Sequence, residues 1–280
     1  MNRWIFLRTL LVVAAHVSSL VHAGICDDGK EADGINRAGD NGVCMAMQTL
    51  PYTKKDPKAP LLIVIHGDNG GKMFGTSYPT LASKLSEEFS SPAVFMLRPG
   101  YKADFGQSDG TARFQDDDYT SENLKYMSFA LAHLRQIYPD RRFILVGHSG
   151  GAAVAALLIS QYPKLADAVV LAACPCDVQP WRKWRKESGV RSDGYWPHSL
   201  SPSDFSKAVL TRSVVVAVTG DKDTNTLPKF AEEYISALRA NGVENAKFIL
   251  AAGASHGSVR QSSEFLEGIR FALDKVAALD

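Results

Sequence analysis

The stretch Phe143-Ile144-Leu145-Val146-Gly147-His148-Ser149-Gly150-Gly151, continuing into Ala152-Ala153-Val154-Ala155-Ala156-Leu157-Leu158-Ile159, decides how this chain is read. Its first four residues are apolar and include β-branched Ile144 and Val146, a run of the length and type that forms a buried strand. The small and apolar residues after Ser149 continue for longer than a strand does, and read as a buried helix. Between the two lies Gly-x-Ser-x-Gly, at Gly147, Ser149 and Gly151. A strand that turns into a helix over so few residues holds the serine in a strained backbone conformation and leaves its Oγ standing clear. Residues two before and two after must lack a side chain, because strand and helix nearly touch there. Ser149 is therefore the candidate nucleophile. A glycine-rich turn ahead of any helix would look much the same, so the flanking sequence has to decide.

Upstream, Leu61-Leu62-Ile63-Val64-Ile65 is continuously apolar, as a strand is when both faces of a parallel sheet are covered. It runs into His66-Gly67-Asp68-Asn69-Gly70-Gly71, a loop whose glycines free backbone N–H groups to face a ligand. Helical spacing follows from Tyr78 to Phe89 (Leu81, Leu85, Phe89), then a strand from Ala93 to Leu97, broken by Arg98-Pro99-Gly100-Tyr101. Arg98 and Tyr101 either line a pocket or hold that loop. The three aspartates at 116–118 read as solvated loop, and Thr120 as the N-cap of a helix reaching Tyr138. Gly24 to Asp40 reads as loop, with one or two short strands between Val43 and Tyr52. Downstream, strands are expected at Ala168 to Ala173, Val214 to Thr219 and Lys247 to Ala251, and helices at Leu227 to Asn241 and Glu264 to Leu279. Strands alternating with helices call for an α/β fold, a mostly parallel central sheet with helices on both faces.

In such sheets, functional residues gather at the carboxyl ends of strands. A serine hydroxyl needs an imidazole as base, itself oriented by a carboxylate. After Val214-Val215-Val216-Ala217-Val218 come Asp221 and Asp223, and after Lys247-Phe248-Ile249-Leu250 comes His256. The chain order is Ser…Asp…His, and the residues alone leave two acids open.

Together these features resemble the α/β-hydrolase family over about Leu61 to Leu279: a His-Gly loop after one strand, the Gly147-to-Gly151 elbow, Gly-x-x-Asp ahead of a proline, and a late histidine. The resemblance implies Ser149 as nucleophile, His256 as base and Asp223 as the carboxylate, since the Gly-x-x-Asp spacing from Gly220 lands there and not on Asp221. It further implies an oxyanion hole made of the Gly150 N–H and one from the loop after His66-Gly67, Asp68 first and Asn69 second. Asp68 stands where lipases carry a third glycine, and its side chain would have to turn away from a developing oxyanion. Cys174 to Val209 reads as a long irregular stretch, and the residues at 174–210 fall where this family carries a small cap or lid. Within them Trp181-Arg182-Lys183-Trp184-Arg185-Lys186 reads in two ways: a pocket wall whose cations greet an anionic or membrane-surface substrate, or an amphipathic helix with tryptophans on the core and cations in water. His66, His148, Trp181 and Trp184 are candidate pocket residues. The implied activity is cleavage of a small-molecule ester through an acyl-enzyme. The alternatives are a serine peptidase or aminopeptidase, and a non-catalytic binding member. No cofactor or metal is implied.

The ends and the composition bound this reading. At 280 residues, 45% hydrophobic and 22% charged, the chain suits one large domain, and a net charge of +1 gives no reason to invoke nucleic acid. Asn2-Arg3 and Arg8, the apolar run Leu10 to Val21 and the small-residue site Val21-His22-Ala23 read as a cleavable leader over 1–23, with the domain at 24–280. His16, Ser18 and Ser19 make that run a poor membrane span. The expected location is outside the cytoplasm, secreted or periplasmic. There Cys26 and Cys44 would pair and staple a segment with little core of its own. Cys174-Pro175-Cys176 could close only a strained ring and lacks a second pair for zinc, so these two are expected to pack as small residues.

Overall fold

The computed structural model describes residues 26, 31–52, 56–69, 73–112, 117–190 and 195–279. The expected leader lies outside these residues, as do Gly70, Gly71 and Asp116. The strands are β1 (Arg37–Asp40), β2 (Val43–Thr49), β3 (Leu61–Ile65), β4 (Ala93–Met96), β5 (Lys102–Ala103), β6 (Gly106–Gln107), β7 (Phe143–His148), β8 (Ala168–Ala172), β9 (Val214–Gly220) and β10 (Asn245–Ala251). The α-helices are α1 (Ser77–Phe89), α2 (Ser121–Ile137), α3 (Gly150–Gln161), α4 (Val178–Glu187), α5 (Pro228–Ala240) and α6 (Ser263–Ala277).

Eight strands make one sheet in the order β1-β2-β4-β3-β7-β8-β9-β10, and β5 and β6 form a separate two-stranded ribbon. From β4 to β10 every pairing is parallel; β1 with β2 and β2 with β4 are antiparallel. The expected mostly parallel sheet is thus present. Side chains of successive strand residues point to opposite faces, and the core divides accordingly. Ile63, Leu145, Val169 and Val215 pack with Leu131 of α2, Leu158 of α3 and Ile235 of α5. Leu62, Val146, Val170 and Val216 pack with Leu85 of α1 and Ile269 of α6. Both faces are covered, which is why the central strands are apolar without alternation.

Two expectations are corrected. The region read as loop up to Asp40 contains β1, which turns into β2 through Asn41 and Gly42, at φ 55° and 78°. That two-residue turn with both φ positive is the one that matches strand twist, and Asn-Gly is its favoured sequence. The stretch after Cys174 is not wholly irregular either, since it holds α4 and a short 3₁₀ turn at Pro202–Ala208. Thr120 caps α2 as expected, its side chain accepting the Asn123 N–H at 3.1 Å, a contact worth about 1 kcal/mol. Among the described residues no helix is long and apolar enough to cross a membrane.

Candidate active site

β7 ends at His148 and α3 begins at Gly150, so Ser149 alone makes the turn, at φ 54° and ψ −122°. Its N–H is held by the carbonyl of Ala172 at 2.8 Å. A Cβ on Gly147 would lie 2.3 Å from the Gly151 carbonyl oxygen, and one on Gly151 would lie 2.4 Å from the carbonyl oxygens of Ile65 and His66. These are backbone atoms that cannot give way, so both glycines are demanded by close approach.

Two loops at the carboxyl ends of β9 and β10 meet this serine. His256 Nε2 lies 3.0 Å from Ser149 Oγ, and His256 Nδ1 lies 2.9 Å from Asp223 Oδ2. Asp223 is 2% exposed, and its Oδ1 accepts the N–H groups of Asn225 and Thr226, both at 2.8 Å. Asp221 points elsewhere: it is exposed and accepts the Gly253 N–H at 2.7 Å. The acid bonded to His256 is therefore Asp223. A carboxylate on one imidazole nitrogen leaves the other a lone pair facing the hydroxyl, the arrangement that lets an imidazole take a hydroxyl proton.

The loop after β3 closes the site from the other side. Gly67 approaches so closely that a Cβ there would lie 3.0 Å from Ser149 Cβ. Asp68 Oδ1 sits 2.0 Å from where a Cβ on Gly150 would stand, and its carboxylate is engaged by Arg98 Nη1 at 2.7 Å and by the Tyr119 hydroxyl at 2.6 Å. Arg98 reaches Asp118 with its other arm. Burial alone would lower the Arg98 pKa, but Asp118, Tyr101 and Asp68 outweigh it and raise it well above its ordinary value. Burial, then Asp68, raises the Tyr119 pKa, so the phenol stays protonated and donates. Arg98 therefore holds the loop, its guanidinium 5.0 Å from the Tyr101 ring and 5.2 Å from that of Tyr119.

The reading of the aspartates as solvated loop is corrected at Asp117 and Asp118, which are buried. Desolvated carboxylates need partners; Asp118 takes Arg98, and Asp117 accepts the N–H groups of His198 at 3.2 Å and Ser199 at 2.8 Å. Those partners lie 20 to 82 positions away, where no local pattern reveals them.

His148 and Tyr78 form a strut beneath the site. Burial first, then the charge of Arg260, holds the His148 pKa well below 6.5, so its ring is neutral. Nε2–H donates to the His256 carbonyl at 2.8 Å, leaving Nδ1 to accept the Tyr78 hydroxyl at 2.9 Å, and the Tyr78 oxygen accepts the Gly67 N–H at 2.9 Å. One chain of hydrogen bonds thus ties the loop after β3 to the backbone of His256. Sequence inspection missed Tyr78, which lies on α1 with no motif around it.

Ser149, His256, His148, Tyr78 and Asp68 line a cavity whose far wall is Trp181, Arg182, Arg185, Trp196 and Asn225. Two of the four expected pocket residues are corrected. His66 is fully buried beneath the loop, with Nε2 accepting the Arg98 N–H at 2.9 Å and Nδ1 donating to the Gly67 carbonyl at 2.8 Å. Trp184 turns away to pack near Phe230, ring centroids 6.1 Å apart. A helix advances about 100° per residue, so Trp181, Arg185 and Arg182 fall within one arc of about 100°, and Trp184 falls outside it on the Trp181 side. Neither alternative reading of α4 describes it whole: Arg182 and Arg185 face the cavity, whereas Lys183 and Lys186 are exposed. Asn69 is half-buried and does not line the cavity.

Two disulfides are present. Cys26–Cys44 joins positions 18 apart with Cα atoms at 5.2 Å. Cys174–Cys176 is also bonded, with Cα atoms 5.1 Å apart, which corrects the expectation of two packed thiols. Ala173, at φ 50°, bends the chain just ahead of them, and the Cα separation falls within the usual bridging range. Among the described residues no group of three His, Cys, Asp or Glu is placed to hold a metal.

The family model described as serine aminopeptidase, S33, matches residues 105–240, a little under half of the chain. No curated protein matches the sequence. Among solved structures, Est1E from Butyrivibrio proteoclasticus superposes with a TM-score of 0.63 at 13% identity, over 86% of this chain and 98% of that one. The Pyrococcus furiosus esterase Pf2001 gives 0.64 at 15%, over 87% and 89%. A Mycobacterium tuberculosis puromycin-hydrolyzing peptidase gives 0.61 at 15%, over 85% of this chain and 38% of that one. Sheet order, elbow and these similarities agree on the fold: the chain has the α/β-hydrolase fold, which the esterase and peptidase structures share.

Proposed function

We propose that the protein is an exported serine hydrolase that cleaves a carboxylic ester through an acyl-enzyme, with Ser149 as nucleophile, His256 as base and Asp223 as the orienting acid. The observation that carries this reading is the unbroken hydrogen-bonded line Ser149–His256–Asp223, at 3.0 and 2.9 Å. His256 Nε2 takes the Ser149 proton as Oγ bonds to the carbonyl carbon. The carbonyl π electrons move to oxygen, and the oxyanion is met by the N–H of Gly150, at the start of α3 where helix N–H groups lack intrahelical acceptors, and by that of Asp68. Collapse breaks the C–O bond, and the alcohol leaves with the proton from His256. Water then repeats the sequence against the acyl-serine and releases the acid. Trp181, Arg182, Arg185 and Trp196, from the segment at 174–210 read as a small cap, line the cavity that holds Ser149.

A peptidase reading draws support from the serine aminopeptidase match. The cavity argues the other way: capturing a free α-amine needs a carboxylate, and the one carboxylate that lines it among the described residues, Asp68, is already engaged by Arg98 and Tyr119.

A fluorophosphonate probe should label the wild-type protein at Ser149, and Ser149→Ala should lose both labelling and turnover of 4-nitrophenyl acetate with its melting temperature retained. Labelling that survives Ser149→Ala refutes the assignment. Faster turnover of aminoacyl 4-nitroanilides than of any ester would replace the esterase reading by the peptidase one.

A further inference from the structure

Gly67 is where the loop after β3 comes close to the nucleophile: a Cβ on it would lie 3.0 Å from the His148 carbonyl oxygen and from Ser149 Cβ. Glycine meets that approach, but its lack of a side chain leaves the backbone free to turn. Two hydrogen bonds supply the missing restraint. The Tyr78 hydroxyl accepts the Gly67 N–H at 2.9 Å, and His66 Nδ1 donates to the Gly67 carbonyl at 2.8 Å. A trans peptide is planar, with its C=O and N–H on opposite sides. Pinning Gly67 at both ends therefore fixes where the next N–H points, and that N–H belongs to Asp68, the proposed second donor to the oxyanion.

Tyr78 is itself held in place. Its ring stacks with Phe95, centroids 5.8 Å apart and planes 7° from parallel, and the Arg260 guanidinium lies 4.7 Å from its centroid. With the ring so packed, the hydroxyl gives its proton to His148 Nδ1 at 2.9 Å. Burial, first, and the charge of Arg260 keep that ring neutral and able to accept. His148 passes the restraint on by donating from Nε2 to the His256 carbonyl at 2.8 Å. His256 lies in a loop between Gly253, at φ 72°, and Gly257, so this loop too takes its order from contacts more than from its own backbone.

We propose that Tyr78 is a positioning residue of the active site: its hydroxyl holds the Gly67–Asp68 peptide of one loop and, through His148, the backbone of His256 in the other, so that oxyanion donor and base keep one fixed relation. This rests on Ser149 acting as nucleophile and His256 as base, and adds the residue that sets their geometry by acting through two others.

The test uses Tyr78→Phe, which keeps the packed ring and loses the hydroxyl, and His148→Gln, whose amide still offers a donor for the His256 carbonyl but has nothing where Nδ1 meets Tyr78. Active sites are counted by the endpoint of fluorophosphonate labelling, and kcat per labelled site and KM are measured with 4-nitrophenyl acetate. Acylation and deacylation both pass through an oxyanion, and a displacement of about 1 Å costs up to about 10²-fold in rate. In Tyr78→Phe kcat per labelled site should therefore fall about 10- to 100-fold with KM within about threefold. Both variants cut one link, so the double variant should be no more than about threefold slower than Tyr78→Phe, whereas independent effects would multiply. A hydroxyl that serves stability alone would lower the melting temperature and leave kcat per labelled site near the wild-type value. That result overturns the inference, as does a double variant slowed by the product of the single factors. If Tyr78→Phe does not fold, His148→Gln decides by the same readout: a fall of about tenfold or more supports the inference, and a smaller one overturns it. Should the wild-type protein show neither labelling nor turnover, the hydrolase reading falls and takes this inference with it.

Discussion

Replacing Asp223 by asparagine separates the two acids that sequence left open. Asp223 Oδ1 accepts two backbone N–H groups at 2.8 Å, from Asn225 and Thr226. In Asp223→Asn the amide oxygen must keep that position, because two buried donors would otherwise lose their acceptor. The amide NH₂ then faces His256 Nδ1, where Asp223 Oδ2 sits 2.9 Å away in the native protein. Nδ1 must become an acceptor and the ring proton moves to Nε2. That nitrogen is 3.0 Å from Ser149 Oγ, and once protonated it has no lone pair for the hydroxyl proton. A triad in the wrong tautomer loses about 10⁴ in kcat, or about 5.4 kcal/mol of barrier. Asp221→Asn changes an exposed side chain whose bond to the Gly253 N–H an amide oxygen can also accept, so turnover should stay within roughly tenfold, as for other surface changes. The assay is kcat/KM for 4-nitrophenyl acetate, with melting temperatures of both variants as the folding control. The reasoning is refuted if Asp221→Asn is the more damaging change, or if Asp223→Asn keeps its rate within tenfold.

Two further outcomes are expected. His66 and His148 are buried, and burial first, then the charge of Arg98 for one and Arg260 for the other, holds their pKa values well below 6.5. Below pH 6.5 the unfolded chain binds protons that the native state refuses, so this contribution is whole above that pH. It is lost on acidification at up to about 1.4 kcal/mol per pH unit for each histidine, until the native pKa is reached. The melting temperature should fall from pH 7 to pH 5, and a flat profile would sink this account. Secondly, protein recovered from the export compartment should begin at Gly24, and non-reducing peptide mapping should recover Cys26 with Cys44 and Cys174 with Cys176. Removing the first bridge by Cys26→Ser with Cys44→Ser should cost about 3 kcal/mol; a retained Met1 or free thiols would contradict the export reading.

Much of this protein is legible in its sequence because the relevant physics is local. The apolar runs at 61–65, 143–146 and 214–218 are strands covered on both faces, and Gly147 and Gly151 are required wherever a strand and helix cross so closely. The order Ser149, Asp223, His256 follows from each lying just beyond a strand's carboxyl end, where a parallel sheet gathers its loops. The Asn41-Gly42 turn was also readable, as a two-residue hairpin signal.

What tertiary structure decided are the contacts between residues far apart in the chain, where packing and desolvation choose the partner. Asp117 and Asp118 resemble solvated loop until burial demands Arg98 and the backbone at 198–199. His66 and Trp184 look like pocket residues until the loop after β3 covers one and α5 takes the other. The four cations on α4, two on each side of Trp184, are equivalent in sequence. Only the rotation of that helix against the Asp223 loop turns Arg182 and Arg185 toward Ser149 and leaves Lys183 and Lys186 in water, because helical periodicity sets which residues share a face while packing sets which way that face looks.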